Sequence, residues 1–220
     1  MSTYVLMRIL ESAPSRYDLG IRLLTLGKLD PVYDRLVLNI QHGQKVLDIG
    51  CGTGALTCLA AQRGAQVTGI DINPHMLEIA QNRIERLDLT ERVRFEEIGV
   101  AELGSKAPES FDIVMSGLCF SELSRNELEF TLREIKRILK PGGLILVVDE
   151  VTPKHVIKKS LNWLIKIPLL VITYLVTQTT IQPLRNFPEQ IKKAGFRIEN
   201  LALNRTENLI ELVAQKGEKE

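Results

Sequence analysis

The sequence is poor in features that mark several common classes of protein. Its three cysteines, Cys51, Cys58 and Cys119, are odd in number and lie at no metal-binding or C-x-x-C spacing. Neither a disulfide framework nor a metal site is therefore predicted, and the thiols are expected to be free. The net charge is only +1, which gives no reason to expect a nucleic-acid partner. No charged-then-apolar leader opens the chain, so a cytoplasmic protein is expected.

The sequence also contains no internal repeat and no linker-like stretch. Its 220 residues are 45% hydrophobic and 25% charged, a composition typical of a globular domain with a sizeable core. We therefore predict a single domain over residues 1–220. Within it, residues 1–44 form an N-terminal helical extension, and residues 152–183 form an apolar cap insertion.

A glycine-rich turn is the most informative stretch of the chain. Lys45–Gly54 reads KVLDIGCGTG, in which an apolar strand runs into three glycines, and a predicted helix over Ala55–Gln62 follows at once. Glycines permit a tight strand-to-helix turn and allow a ligand to approach the backbone closely. The helix N-terminus directs free N–H groups at the same place, which suits a carboxylate or a phosphate.

The spacing of these glycines separates two classes of ligand. Gly50, Gly52 and Gly54 follow a G-x-G-x-G pattern, whereas dinucleotide-binding turns place the last glycine one residue later. No Lys-Ser/Thr pair follows, so a nucleoside-triphosphate loop is not predicted. Asp48 precedes the first glycine by two positions. Asp71 ends the second predicted strand, about 20 residues beyond the glycines, where a carboxylate can hold a ribose diol.

Simple signals place the remaining elements. Asn73-Pro74 is predicted to cap one helix and Ser124–Glu127 to cap another as a capping box. Other predicted elements are helices from Asp30 to about Ile40 and over Leu184–Gly195, strands over Arg92–Ile98, Phe111–Met115, Leu144–Val148, Arg197–Leu203 and Asn208–Ala214, and a helix stop at Lys140–Gly143.

The motif D-x-G-x-G-x-G at Asp48–Gly54, with GIDINPHML after the second strand and RILKPGG before the fifth, resembles class I S-adenosylmethionine-dependent methyltransferases. The resemblance covers roughly residues 44–215. It implies an α/β fold, a Rossmann-like doubly wound mixed seven-stranded sheet with an N-terminal helical lid and a helical insertion after strand 5. It also implies in-line methyl transfer from S-adenosyl-L-methionine, with S-adenosyl-L-homocysteine as the product.

On this resemblance, cofactor-binding residues are expected where the strands end. They are Asp48, Gly50, Cys51, Gly52, Gly54, Asp71, Ile72, Met76, Val100, Ala101 and Ser116, with Tyr17 of the lid over the methionine end. The family often has Gly-Asp-Ala where this chain has Gly-Val-Ala. The adenine contact is therefore expected from the backbone of Val100 and Ala101, or from Glu102.

The sequence leaves the catalytic residue open, because methyl transfer from a sulfonium mainly requires alignment of the reacting groups. A general base is needed only when the nucleophile carries a proton of high pKa. Asp149 and Glu150, which end the fifth strand, and Glu122, which follows the fourth, are the candidates. Solvent exposure or helix capping is the alternative role for such carboxylates. Cys119 is expected to pack rather than to react.

An uncharged run from Ile167 to Leu184 is the most unusual part of the predicted cap. Its strongly apolar part is shorter than the ~20 residues that span a membrane. Three interpretations stay open. The run closes an apolar substrate pocket, or residues 154–180 make peripheral membrane contact with Trp163 at the interface, or the run docks a protein partner.

Two further segments give a narrower resemblance. YVLMRILESAPSRYDLGIRLLTLGKLDPVYDRL at the start and VMSGLCFSEL after the fourth strand resemble methyltransferases associated with corrinoid proteins. This implies a corrinoid protein as partner and its cobalt as methyl acceptor. A quinone, a lipid or another apolar small molecule is the alternative acceptor. An accessory protein that binds S-adenosylmethionine without turnover is the alternative of another class. No oligomeric state is predicted.

Overall fold

The computed structural model describes residues 29–151, 184–204 and 207–217. Within these residues the chain forms one sheet of seven strands, with helices on both faces. The strands are β1 (Lys45–Ile49), β2 (Gln66–Asp71), β3 (Val93–Glu97), β4 (Phe111–Gly117), β5 (Leu139–Glu150), β6 (Phe196–Leu203) and β7 (Leu209–Lys216).

The α-helices of the described residues connect or flank these strands. They are α1 (Leu29–Leu36), α2 (Ala55–Gln62), α3 (Pro74–Arg86), α4 (Arg125–Ile138) and α5 (Phe187–Lys193). Short 3₁₀ helices lie at Val37–Asn39, Val100–Ser105 and Phe120–Glu122. Residues 1–28 of the predicted N-terminal extension over residues 1–44 lie outside the described residues, as do Tyr17 and the predicted cap over residues 152–183. Among the residues described, no helix is both long and apolar enough to cross a membrane.

The strand order is β3-β2-β1-β4-β5-β7-β6. Strands β1 to β5 run parallel, and β7 runs antiparallel to both β5 and β6. This arrangement confirms the predicted mixed seven-stranded sheet. Because β1 lies between β2 and β4, the chain turns to opposite sides of β1, and a crevice opens at the carboxyl ends of these strands.

Side chains of the central strands alternate between the two faces of the sheet, so the core has two layers. In β4, Ile113 and Met115 face the layer that contains α1 and α2, whereas Val114 faces the layer that contains α4 and α5. All three side chains are fully buried. A parallel sheet covered on both faces needs apolar residues on both sides, which is why its strands read as continuous apolar runs.

An ion pair fixes α1 across the sheet. The Arg35 guanidinium donates to the Glu211 carboxylate of β7 at 2.7 Å from Nη2 and at 3.2 Å from Nε. Leu36 beside it is fully buried. The two partners are 176 positions apart in the chain. The bond therefore ties the last turn of α1, in the segment that precedes β1, to one of the last strands of the sheet.

Both predicted helix caps are present. The Asn73 side chain accepts hydrogen bonds from the backbone N–H groups of His75 and Met76, and Pro74 is the first helical residue. Ser124 and Glu127 bond to each other's backbone N–H groups as a capping box. In both cases a side-chain oxygen satisfies an N–H group that the first helical turn leaves unpaired.

Several boundaries differ from the prediction, and two of them have a clear cause in the structure. Helix α5 is shorter than the predicted Leu184–Gly195, because Leu184 forms a bridge with Val151 and Asn186 is in the left-handed region at φ 51°. Helix α4 ends at Ile138, and the predicted stop at Lys140–Gly143 already belongs to β5. The pairing of β4 with β5 shifts register along this part of the strand.

Candidate functional site

The turn after β1 is bound tightly to β2. Gly50 and Cys51 both donate their backbone N–H groups to the Ile70 carbonyl, at 2.9 and 3.0 Å. Gly50 has a φ of 68°, which favours glycine, and it lies against Cys119. A methyl group on Gly50 would lie 2.5 Å from both Cβ and Sγ of Cys119. Gly52, at φ 52°, also needs the left-handed region.

Asp71 connects this turn to the start of α3. Its Oδ2 accepts the Gly52 N–H and its Oδ1 accepts the Asn73 N–H, both at 2.9 Å. Burial raises the pKa of Asp71, and these N–H donors partly offset the rise. Each carboxylate oxygen can accept more than one hydrogen bond, so the side chain retains capacity for a ligand.

Asp48 is an almost fully buried carboxyl group at the wall of the crevice. It is 1% exposed, and its Oδ2 accepts the Thr57 hydroxyl at 2.5 Å. Burial raises its pKa to about 7, the Thr57 hydrogen bond lowers it, and the nearby charge of Asp71 raises it further. A cation placed beside Asp48 would favour the ionised form, so this is a suitable partner for a cationic group.

Two cavities lie at the carboxyl edge of the sheet. The larger has a volume of about 600 Å³ and extends from Asp71 to the 3₁₀ helix Val100–Ser105 and to Glu122. The smaller has a volume of about 290 Å³ and includes Asp48 and residues of α1. Both are lined by Gly50, Gly52, Gly117 and Leu118, so together they form a crevice across the glycine turn.

The segment after β4 and helix α1 form the outer wall of the smaller cavity. Leu118 is held at φ 62°, an uncommon backbone conformation for leucine. Tyr33 of α1 packs against Gly117, where a Cβ atom would lie 2.4 Å from the tyrosine hydroxyl oxygen. The glycine at this position thus allows α1 to approach the end of β4.

The structure brings most of the predicted cofactor residues together. Asp71, Ile72, Met76, Val100 and Ala101 line the larger cavity, Asp48 and Cys51 line the smaller one, and Gly50 and Gly52 line both. Ser116 and Gly54 line neither cavity. The Ser116 hydroxyl is buried and donates to the Ile49 carbonyl at 3.0 Å, while Gly54 is the N-cap of α2 and lies against Ala80.

The acidic candidates have different surroundings. Glu122 lines the larger cavity. Glu150 is half-buried, and Asp149 is fully buried. Burial raises the pKa of Asp149 to about 7, partly offset by hydrogen bonds from Ser121 and Glu150. Glu102 accepts the Gly99 N–H at 3.0 Å, so its carboxylate supports the local turn at the edge of the larger cavity.

Comparison with known proteins identifies the family. The profile of the methyltransferase domain family matches residues 46–143. An uncharacterized methyltransferase of Synechocystis is 31% identical over 163 residues, which cover 73% of this chain and 70% of that protein. A demethylmenaquinone methyltransferase of Tropheryma whipplei is 37% identical over 120 residues, which cover 54% of this chain. The chain spans 47% of the length of the Tropheryma protein.

The Synechocystis relative decides the family because the match is long in both chains. The chain belongs to the class I S-adenosylmethionine-dependent methyltransferases. The fold agrees, since a solved S-adenosylmethionine-dependent methyltransferase from Methanosarcina mazei superposes with a TM-score of 0.65. That structure is 22% identical in sequence, and the match covers 82% of this chain and 95% of that one. The predicted family and fold are thereby confirmed, and S-adenosylmethionine is the methyl donor that this family implies.

Several residues of this methyltransferase site were not predicted. Tyr33, Asp30, Thr53, Arg83 and Leu118 all line the smaller cavity. The helical pattern of α1 indicates which residues share a face, but not that this face reaches the end of β4. Gly117 is the residue from which this contact could have been predicted, since a glycine at a strand end often marks a close approach of another group.

Replacing Gly52 should impair the methyltransferase site more than the fold. Among the described residues, a methyl group on Gly52 would meet no atom within 4 Å, so it would project into the crevice. We expect Gly52→Ala to weaken S-adenosylhomocysteine binding at least tenfold in calorimetry. The backbone strain should lower the free energy of unfolding by only about 1–2 kcal/mol.

Gly50→Ala is the matched comparison. It carries the same kind of backbone strain and adds the contact with Cys119. It should therefore lower the free energy of unfolding in urea by clearly more than Gly52→Ala does. Equal losses of stability in the two variants would contradict this account of the turn.

Replacing Asp48 should stabilise the methyltransferase in the absence of ligand. Burial raises the pKa of Asp48 from 3.8 to about 7 in the folded state, so protonation of this group favours folding. This contribution to stability is complete below about pH 4 and is lost as the pH rises through about 7. At pH 8 Asp48→Asn should raise the free energy of unfolding by about 2 kcal/mol, or raise Tm by about 4–8 °C. The difference should be less than half as large at pH 5, and it should vanish below about pH 4.

Asp112→Asn supplies a control of opposite sign. Burial opposes ionisation of Asp112, but the hydrogen bonds of Lys140 and Lys45 outweigh it, so the pKa of Asp112 is lowered. Asp112 accepts from Lys140 Nζ at 2.6 Å. Its replacement should destabilise the protein at pH 8. Destabilisation by Asp48→Asn at pH 8 would show that the buried charge is not unfavourable.

Proposed function

We propose that this protein transfers a methyl group from S-adenosylmethionine to an apolar small molecule of the quinone class. The observation that carries the proposal is the position of Asp71 and Asp48 in two cavities that share the Gly50 and Gly52 backbone. S-adenosylmethionine supplies a methyl group activated by a sulfonium. The residues of this chain bind and orient it.

The larger cavity fits the nucleoside. The Asp71 carboxylate is held by two N–H donors and can accept hydroxyl groups of a ribose. Ile72 follows it and is 70% exposed at the cavity wall, so it offers an apolar surface to a base. Val100 and Ala101 line the same cavity, and their backbone groups can bind the base edge without the family's usual aspartate.

The smaller cavity fits the amino-acid end of the cofactor. It contains both signs of charge, with Asp48 and Asp30 as acids and Arg83 as a base. An α-ammonium group suits the buried Asp48, since a nearby cation favours the ionised form of that residue. An α-carboxylate suits Arg83, because a guanidinium donates to carboxylates in a fixed geometry.

The relative from Tropheryma whipplei supports a quinone acceptor. It is named as a demethylmenaquinone methyltransferase. Leu29, Leu56 and Leu118 add apolar surface beside the charged groups of the smaller cavity, which suits an apolar molecule near the cofactor. The link to a corrinoid protein stays a prediction. Its first motif falls largely in residues 1–28, outside the described residues.

Cofactor binding is tested by calorimetric titration of S-adenosylmethionine and S-adenosylhomocysteine. Wild-type protein should bind with micromolar affinity, about −8 kcal/mol. Asp71→Ala should weaken both ligands at least tenfold, because it removes the proposed ribose contact and releases the Gly52 N–H. A melting curve with each variant checks that the protein remains folded.

Glu97→Ala is the matched control for this titration. Glu97 pairs with Asp71 in register on β3, is exposed, and contributes a carboxylate at the same edge of the sheet. It lines neither described cavity at the crevice. Its replacement should change affinity by less than twofold. Equal weakening in both variants would indicate a general effect of charge and contradict the ribose assignment.

The acceptor is tested by turnover. Protein and S-adenosylmethionine are incubated in separate reactions with a short-chain demethylmenaquinol, with a reduced corrinoid, and with neither, and S-adenosylhomocysteine is quantified by mass spectrometry. We expect product formation at least tenfold above background with the quinol. Turnover with the corrinoid but not with the quinol would contradict the quinone proposal and would favour a corrinoid as the methyl acceptor. Cofactor binding without turnover would favour an accessory protein.

A further inference from the structure

Asp149 is a carboxylate that no ligand in the crevice can reach directly. It lies at the carboxyl end of β5, opposite Ile210 of β7, and is fully buried. It lines neither of the two cavities described at the crevice. A group so placed is unsuited to take a proton from an acceptor, because a general base must come within hydrogen-bond reach of that proton.

The hydrogen bonds of Asp149 are directed at the segment after β4. Its Oδ2 accepts the Ser121 N–H at 3.1 Å, and the Ser121 hydroxyl also bonds to the carboxylate. Its Oδ1 accepts the Glu150 N–H at 2.6 Å. Hydrogen bonds to an ionised acceptor are stronger than those between neutral groups, so they help to offset the cost of burying the carboxylate.

The segment 117–123 has two further attachments. The Leu118 N–H donates to the Val148 carbonyl at 2.8 Å. Phe120 is fully buried and packs edge-on against Phe187, with ring centroids 6.1 Å apart. Leu118 has a backbone conformation that costs free energy, and such conformations persist only where the surroundings fix them. The bond from Ser121 to Asp149 is thus one of several contacts that hold this segment.

The same segment forms part of both cavity walls. Gly117 and Leu118 line both cavities, while Cys119, Glu122 and Leu123 line the larger one. A displacement of the segment would therefore move the walls of the nucleoside and amino-acid sites together. Cofactor affinity should depend on the bond that Asp149 makes, although Asp149 touches no part of the cofactor site itself.

We infer that Asp149 is a positioning residue, which holds segment 117–123 in the form that binds the cofactor. The inference rests on the cofactor site proposed above. It assigns Asp149 no part in proton transfer. It also accounts for the burial of a carboxyl group at this position, since its oxygens accept from the Ser121 hydroxyl and N–H together.

The test is Asp149→Asn, which presents an amide NH₂ where the native residue has an acceptor oxygen. Because one hydrogen bond is lost, S-adenosylhomocysteine should bind at least tenfold more weakly in calorimetry. Amide hydrogen exchange of residues 118–123 should become faster, while exchange of β1 and β2 stays close to that of the wild type. Asp112→Asn is the control, because Asp112 also accepts two hydrogen bonds but lies at the opposite edge of the sheet.

The possible outcomes separate the roles. If Asp149 were a general base, turnover would fall while S-adenosylhomocysteine affinity stayed within twofold of wild type. If its role were only structural, Tm would fall while affinity and local exchange at 20 °C matched those of Asp112→Asn. Either result would overturn the inference. Failure of the wild-type protein to bind the ligand would instead count against the proposed function.

Ser121→Ala keeps the test decisive if Asp149→Asn does not fold. It removes the hydroxyl bond to Asp149 and retains the backbone bond. We expect a smaller change in the same direction, with S-adenosylhomocysteine binding reduced two- to fivefold and faster exchange at residues 118–123. Affinity and exchange equal to those of the wild type would contradict the positioning role.

Discussion

The attachment of the glycine turn to β2 is the constraint on which the site depends. The Ile70 carbonyl accepts two N–H groups of the turn, and Asp71 accepts a third from Gly52. The other carboxylate oxygen of Asp71 accepts the Asn73 N–H and thereby fixes the start of α3. One residue pair at the end of β2 thus sets the positions of β1, α2 and α3 relative to one another.

This arrangement includes buried charge, and the charge has a cost. Asp48 and Asp149 are both fully enclosed, and their donors include the hydroxyl groups of Thr57 and Ser121. Such donors are dipoles, so they offset only part of the desolvation of a carboxylate. In the proposed site, a cationic ligand beside Asp48 would supply the missing stabilisation. Stability without ligand would then be traded for affinity, which is common at functional sites.

The sequence allowed the central part of the site to be predicted because its signals are local. Asp48, the glycines and Asp71 lie at strand ends that apolar runs identify, and the caps at Asn73 and Ser124 follow from neighbouring residues. The family resemblance supplied the mixed seven-stranded sheet. These elements appear in the structure within a few residues of their predicted positions.

Long-range contacts were beyond such reasoning. Arg35 and Glu211 are far apart in the chain, so no local pattern indicates that α1 is bonded to β7. The prediction for Ser116 depended on the carboxyl edge being accessible along β4. Its hydroxyl instead bonds to the Ile49 carbonyl inside the sheet. Which side chain at a strand end turns toward a ligand depends on contacts made across the sheet.

Polar side chains at this edge mainly hold backbone groups in place. Asp71 binds Gly52 and Asn73, Asp149 binds Ser121, and Glu102 binds Gly99. Each of these bonds fixes a segment that lines the crevice, and none requires a proton to move. A sulfonium is already activated, so its reaction depends on alignment more than on acid–base chemistry. A site whose carboxylates mainly support the backbone is therefore suited to methyl transfer.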